Sequence, residues 1–399
     1  MAARNKGLFI VRPGYSPSDT NMAVTPSRIV GSLRGRPGTT FVAFLGVIFL
    51  VDLLLKLAVI EVGPLGGRLT FTRLGGGISR GIVIGLIIGL AGIGLSMTYS
   101  ILNFANVSHG DLITVGAFSG WGVAYIILGW SFVAADPDVG IGRLFLIRTP
   151  GDVGFTELGA SVLLSPGAIF VGLFAAAAFT ALIALGVDRI VYKPMRDRSG
   201  ISLLIVSIGV ALILRYAIWF IYGTRERPVV SSQQTLYVFL PTGSVPINTH
   251  TGTIVVAGVL LMLGTHYLLQ HTKLGTAMRA MSDNKDLAMV TGIPTERTIT
   301  WTWLIGGSLA GAAGYLYILI RTLNFDVGWL LLLLIFAAVI LGGIGSIYGA
   351  IAGGLVIGLV FQLSPIWLGS DFNYVAAYMA MILVLLLRPE GIFKGVSTA

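Results

Sequence analysis

The sequence predicts an all-α fold: a polytopic membrane bundle of about eight to ten transmembrane segments, with a discontinuous helix near residues 103–111. Three observations predict it. Of the 399 residues, 55% are hydrophobic and only 11% charged, at a mean hydropathy of +0.90, whereas a soluble globular chain carries roughly 25% charge. The apolar residues gather into about ten runs, at 41–60, 81–102, 110–130, 166–187, 203–222, 252–270, 300–320, 328–343, 347–361 and 373–387. These runs lack the alternation of barrel strands, and open strands cannot cross lipid with unpaired backbone. Full crossing takes about 20 residues, so 328–343 and 347–361 read as half-helices or tilted pieces, and eight spans with re-entrant pairs is the other count the pattern allows. The 54 glycines fit helices that approach closely in a bilayer.

From the N-terminus, residues 1–40 read as a basic, disordered cytoplasmic tail, with Arg4, Lys6, Arg12, Arg28, Arg34 and Arg36 against Asp19. The stretch is too long and too polar to be a signal peptide. Residues 41–80 read as an additional transmembrane helix and an external loop; Asp52 and Lys56, one helical turn apart, are expected to neutralise each other. Residues 81–399 form the main transmembrane domain. Placing the tail inside puts 188–199, 271–299 and 388–399 inside as well. That set carries 16 Lys and Arg, against 8 in the outside loops, which also hold 8 acids such as Asp136, Asp138, Asp152 and Glu157. The bias obeys the positive-inside rule. The net charge of +9 therefore belongs to short connectors beside lipid, and nucleic acid is excluded as a partner. The chain has no cysteine, which excludes disulfides, thiol catalysis and cysteine metal sites.

Residues 97–111 read Met-Thr-Tyr-Ser-Ile-Leu-Asn-Phe-Ala-Asn-Val-Ser-His-Gly-Asp. Asn103, Asn106, Ser108, His109 and Asp111 cluster here, with Gly110 permitting a break in the helix. Two readings fit. One is a cytoplasmic turn, with Ser108 or Asp111 capping the next helix. The other is a part of a translocation path, since polar clusters in a bilayer face cavities or other helices and freed backbone can bind small solutes. His109 is not joined by any hydrolase or metalloprotease motif, and His250, His266 and His271 lie on other segment ends. No catalytic set, metal site or cofactor is expected. Arg215, alone in an apolar run, is expected to snorkel outward.

The connector 271–299 has helical spacing in Leu274, Ala277, Met278, Met281, Leu287, Ala288 and Val290, with charges of both signs between. Ser282 with Lys285-Asp286 suggests a break into two short helices, and Gly292-Ile293-Pro294 ends the run. Mixed charge favours a protein partner over a lipid surface. The glycine run Gly342, Gly343, Gly345 and Gly349 suggests a tight turn between two short helices, either as packing or as a hinge.

At these places the chain resembles the branched-chain amino acid ABC permease family. Asn106-Val107-Ser108-His109-Gly110-Asp111, followed by Gly116-Ala117-Phe118, is similar to that family's break, with Val107 and Ser108 where Phe-Ala is usual. Gly275, Ala277, Arg279, Ala280, Asp283, Asn284, Ala288 and Gly292-Ile293 resemble its cytoplasmic loop. Val191-Tyr192-Lys193-Pro194-Met195-Arg196, Leu341-Gly342-Gly343-Ile344-Gly345-Ser346 and Arg388-Pro389-Glu390-Gly391-Ile392-Phe393 look alike as well. The likeness covers about 80–395, five motifs in the family's order. It implies a permease subunit of an ABC importer for branched-chain or related amino acids in the plasma membrane, rather than an enzyme. It also implies a substrate path at 103–111 and ATPase coupling at 275–293. The implied partners are ABC ATPase subunits, a second permease subunit in a homo- or heterodimer, and an extracytoplasmic substrate-binding protein, besides the lipid bilayer. No GxxxxGK[ST] motif is present, so ATP hydrolysis would fall to a separate chain. Alternatives are a permease for urea or short amides and an ion-coupled secondary transporter, for which Asp52, Lys56, Asp111 and Arg215 are the embedded charges.

The charge bias makes a direct prediction: both termini face the cytoplasm. Single cysteines replacing Ser27 or Ser397 in this cysteine-free chain should resist an impermeant thiol reagent on intact cells and react after permeabilisation. Labelling from outside would invert the topology.

Overall fold

The computed structural model describes residues 37–135, 165–227, 229–230, 235–240, 243–388 and 391–393. Most of the basic tail and of the loop holding Asp136, Asp138, Asp152 and Glu157 lies outside the described residues. The stretch up to Val51 is one unit, and Asp52 onward is the other.

Each apolar run is helical. The helices are α1 (Pro37–Ala58), α2 (Phe71–Leu102), α3 (Ser108–Ala135), α4 (Pro166–Val187), α5 (Gly200–Tyr222), α6 (Thr249–His271), α7 (Lys273–Asp283), α8 (Lys285–Val290), α9 (Thr295–Ile318), α10 (Val327–Gly342), α11 (Ile347–Leu363) and α12 (Asn373–Leu387). Among the described residues seven helices are long and apolar enough to cross a membrane, and α10 is an apolar helix too short to count with them. The chain is a multi-pass membrane bundle. It carries two features not legible as all-α: antiparallel hairpins β1 (Glu61–Val62) with β2 (Leu65–Gly66), and β3 (Thr235–Leu240) with β4 (Gly243–Asn248). Both lie in connectors, where paired strands satisfy backbone groups that no helix serves.

α2 is the axis. It is apolar on all sides and almost wholly buried, as a helix with no polar face must be. It starts at Phe71, well before its apolar run, because Thr70 caps it by accepting from the Arg73 N–H; residues 71–80 are therefore helix rather than external loop. α11, α9, α10 and α6 pack around it. Gly81, Gly85 and Gly89 on α2 meet Gly354 and Gly358 on α11 backbone to backbone: a Cβ on Gly358 would lie 2.4 Å from the Gly85 nitrogen, and one on Gly354 2.6 Å from that of Gly89. Small residues four apart remove the side-chain layer, and the two helices touch along their length.

α4 does not end cleanly. It continues as a π turn over Asp188–Tyr192 and a 3-10 turn over Lys193–Met195. The wider turn rotates Asp188 and Tyr192 inward, and both are buried. At the other discontinuity, Gly342 and Gly349 face each other across the α10–α11 turn, where neither could carry a Cβ; Gly343 and Gly345 adopt positive φ of 109° and 85°. Residues 391–393 dock there, with Ile392 N–H donating to Leu341 O at 2.9 Å and Phe393 N–H to Gly342 O at 3.0 Å.

Asp52 pairs with Lys56, as its spacing implies, and does more. It also accepts from the Gly66 N–H and the Trp367 Nε1–H, each at 2.7 Å.

Candidate functional site: the break between α2 and α3

Asn103 closes α2 in the left-handed region, φ 54° and ψ 36°, with its N–H on Tyr99 O. Asparagine tolerates that region better than most residues. The chain then turns back into the bundle. Asn103 lies beside Gly200 at the start of α5, while Val107 N–H donates to Ser207 Oγ at 3.0 Å. Seven residues of helix separate the two levels, so α3 begins about 10 Å inside the bundle. Gly110 is not where the helix breaks. It sits in the first turn of α3, and its missing side chain admits α10: a Cβ would lie 2.8 Å from the Leu332 Cβ and 2.9 Å from the Gly328 carbonyl.

Asn106 holds the break together. It is fully buried, and its Oδ1 accepts from Ser108 N–H at 3.1 Å, Ser108 Oγ at 2.6 Å and Tyr192 OH at 3.2 Å. Ser108 N–H can only donate, which assigns oxygen to that side of the amide. The helix cap is therefore supplied by Asn106, in place of Ser108 or Asp111. Tyr192, brought inward by the π turn, also meets Ser108 Oγ at 2.9 Å and stacks on Trp303 with centroids 5.1 Å apart. His109, also buried, reaches back along α2 to Ala91 O at 2.9 Å. A carbonyl only accepts, so Nε2 carries the proton. Of the cluster only Asn103 is exposed.

Asp111 is buried and takes a two-pronged contact from Arg215, Nε to Oδ1 at 3.0 Å and Nη2 to Oδ2 at 3.1 Å. Arg215 thus faces the bundle and does not snorkel outward. Its guanidinium stands 4.7 Å over the Trp329 ring and 4.0 Å from Asp326. An unpaired carboxylate at that depth is costly enough to draw the arginine in.

The connector after α6 folds as the two short helices α7 and α8. Asn284 separates them and caps α8 through its Oδ1 on the Leu287 N–H; Gly292, at φ 86°, ends the run. Some of its residues take inward roles. Ala288 is 3% exposed and packs into the core, so it does not offer close approach to a partner. Gly275 lets α7 fold against the end of α6, where a Cβ would lie 2.2 Å from Leu269 O. Arg279 donates to Gln270 Oε1 at 2.7 Å, and Ala277, Ala280 and Ile293 are partly buried while Asp283 is exposed. The outward face is Leu287, Met289 and Val290. Beside this platform, Arg196 joins Asp188 at the end of α4 to Glu296 at the start of α9.

A bundle of apolar helices with an internal, hydrogen-bonded interruption and a helical platform at one end defines a multi-pass membrane permease. A family model described as the permease component of the branched-chain amino acid transport system matches residues 77–387, and the chain belongs to that family. It is 28% identical over 316 residues to the high-affinity branched-chain amino acid transport system permease protein LivH of Escherichia coli (strain K12), covering 78% of this chain and 93% of that one. BraD of Pseudomonas aeruginosa, named for the same transport, is 28% identical over the same shares of the two chains. The probable branched-chain amino acid transport permease protein LivH of Methanocaldococcus jannaschii is 31% identical, covering 76% and 87%. Among solved structures, PsaBC from Streptococcus pneumoniae matches at a TM-score of 0.36 and 16% identity over 82% of this chain and 93% of that one, too weakly to bear on function.

The ion pair predicts strong non-additivity. Asp111→Asn or Arg215→Gln alone should each cost about 3–5 kcal/mol of stability, because the other charge is left buried. The pair Asp111→Leu with Arg215→Leu should recover most of the loss. Thermal unfolding in detergent measures this; additive losses would contradict a coupled pair.

Proposed function

We propose that the chain is the membrane-spanning subunit of an ABC importer for branched-chain or related aliphatic amino acids, driven by ATPase subunits that dock on 271–299. A second permease subunit and an extracytoplasmic binding protein complete the assembly. Family membership and the transport named for its relatives support the substrate class. The observation that carries the coupling is the platform. Val290 is 83% exposed and Leu287 61%, at the tip of two helices anchored inward by Met278, Met281 and Ala288. Apolar residues on an anchored helix suit a groove on a partner. A push on that tip passes to α6 and α9, which flank it, as a rigid-body movement.

On this reading Asn106, Ser108 and His109 shape the path by fixing where α3 starts, and Asp111 holds α3 to α5. The glycine turn at Gly342, Gly343 and Gly345 serves packing. An ion-coupled mechanism finds less support: Asp52 is paired with Lys56 and Asp111 with Arg215, which leaves none of the four embedded charges free to titrate.

Leu287→Asp and Val290→Asp should strip the ATPase from membranes and abolish ATP-driven L-leucine uptake in vesicles, with insertion unchanged. Wild-type uptake should persist with a proton uncoupler. Full ATPase retention and uptake in both variants would refute the docking site, and loss of wild-type uptake with the uncoupler would refute the energy source.

A further inference from the structure

At the far end of α9 from the platform, about 36 Å along its 24 residues, an open recess of about 540 Å³ is walled by the ends of α9, α10, α11 and α12 and by Glu226. Pockets for small organic ligands run roughly 300–1,000 Å³. Three charges line it: Arg321, Glu226 and Asp371. All are exposed, and among the described residues none has an oppositely charged partner within ion-pair distance. Every embedded charge elsewhere in the bundle is paired, so three unpaired ones around a single recess call for a ligand. Leu330, Phe361 and Tyr374 supply an apolar wall.

We propose that this recess is an entry site for free zwitterionic amino acids with apolar side chains. The Arg321 fork takes the α-carboxylate, since guanidinium geometry matches a carboxylate's two oxygens. Asp371 or Glu226 takes the α-ammonium, and the side chain lies on Leu330, Phe361 and Tyr374. A molecule with one charge leaves half of the set unpaired, and a neutral amide such as urea leaves all of it. The recess therefore selects amino acids over urea and short amides. The inference rests on the importer reading above and on the sidedness of the charge bias.

Thr322 lines the same recess, and the chain has no native cysteine. In Thr322→Cys protein assembled with its ATPase in proteoliposomes, labelling by an impermeant maleimide should slow about fivefold at saturating L-leucine. Urea, leucinol and isocaproate, which lack one or both charges, should give no protection. Arg321→Gln in that background should abolish protection, and Arg321→Lys should restore part of it. Unchanged labelling with L-leucine, or equal protection by urea, overturns the proposal. So does loss of uptake in Arg321→Gln without any L-leucine protection, which assigns the charges to docking of another protein. Uptake of L-leucine by the Thr322→Cys protein is measured in parallel. Uptake without protection rejects the recess alone, while absence of uptake rejects the substrate reading itself.

Discussion

A chain that stops being helical inside a bilayer exposes backbone groups that water cannot reach, and each one must find a protein partner. The interruption between α2 and α3 is governed by that requirement. Asn106 places one oxygen where Ser108 N–H, Ser108 Oγ and Tyr192 OH converge, and Ser207 takes the Val107 N–H. The arrangement has a cost, for the Asn106 Nδ2 is buried without a hydrogen-bond partner, about 1–3 kcal/mol for such a group. What it secures is the starting level of α3. From that level follow the reach of His109 to α2, the contact of Gly110 with α10 and the meeting of Asp111 with Arg215.

The junction stays dry because the surrounding helices are almost in backbone contact. Gly94 lies against Gly306, Gly116 against Gly311, and Gly328 against Gly110, each with no room for a Cβ. Between helices in lipid the hydrophobic effect contributes little, and close van der Waals packing takes its place. Rigid contacts of this kind also transmit displacement. α9 runs from the platform past the buried Trp303 and Tyr315 to the recess around Arg321, so a movement of α8 reaches both the Tyr192 stack and the far end of the bundle.

The sequence was most informative where physics is local. Continuous apolar runs became helices because lipid allows little else, the spacing of Asp52 and Lys56 placed them on one helix face, and Asn284 split the connector as a capping residue does. The polar cluster at 103–111 announced a break. Its internal roles were not legible, because the partners are distant in the chain: Tyr192 is 86 residues from Asn106, and Arg215 is 104 from Asp111. Arg215 alone in an apolar run looked like a snorkelling residue, since nothing local marks a carboxylate on another helix. Gly110 looked like a break, and only the approach of α10 shows it to be a packing site. Ala288 shared the helical period of the platform, but period alone does not say which face turns inward. The π turn at Asp188–Tyr192 left no compositional trace, although Pro194 marks where regular helix must give way.

Amide hydrogen exchange across residues 103–111 in lipid nanodiscs tests this account most directly. If Asn106 locks a dry junction, the amides of Val107 and Ser108 exchange as slowly as the interior of α2. Asn106→Ala should then accelerate both by about tenfold or more, the loss of a buried hydrogen bond worth about 1.4 kcal/mol. Rapid wild-type exchange at Val107 and Ser108, as in a solvated turn, would contradict it.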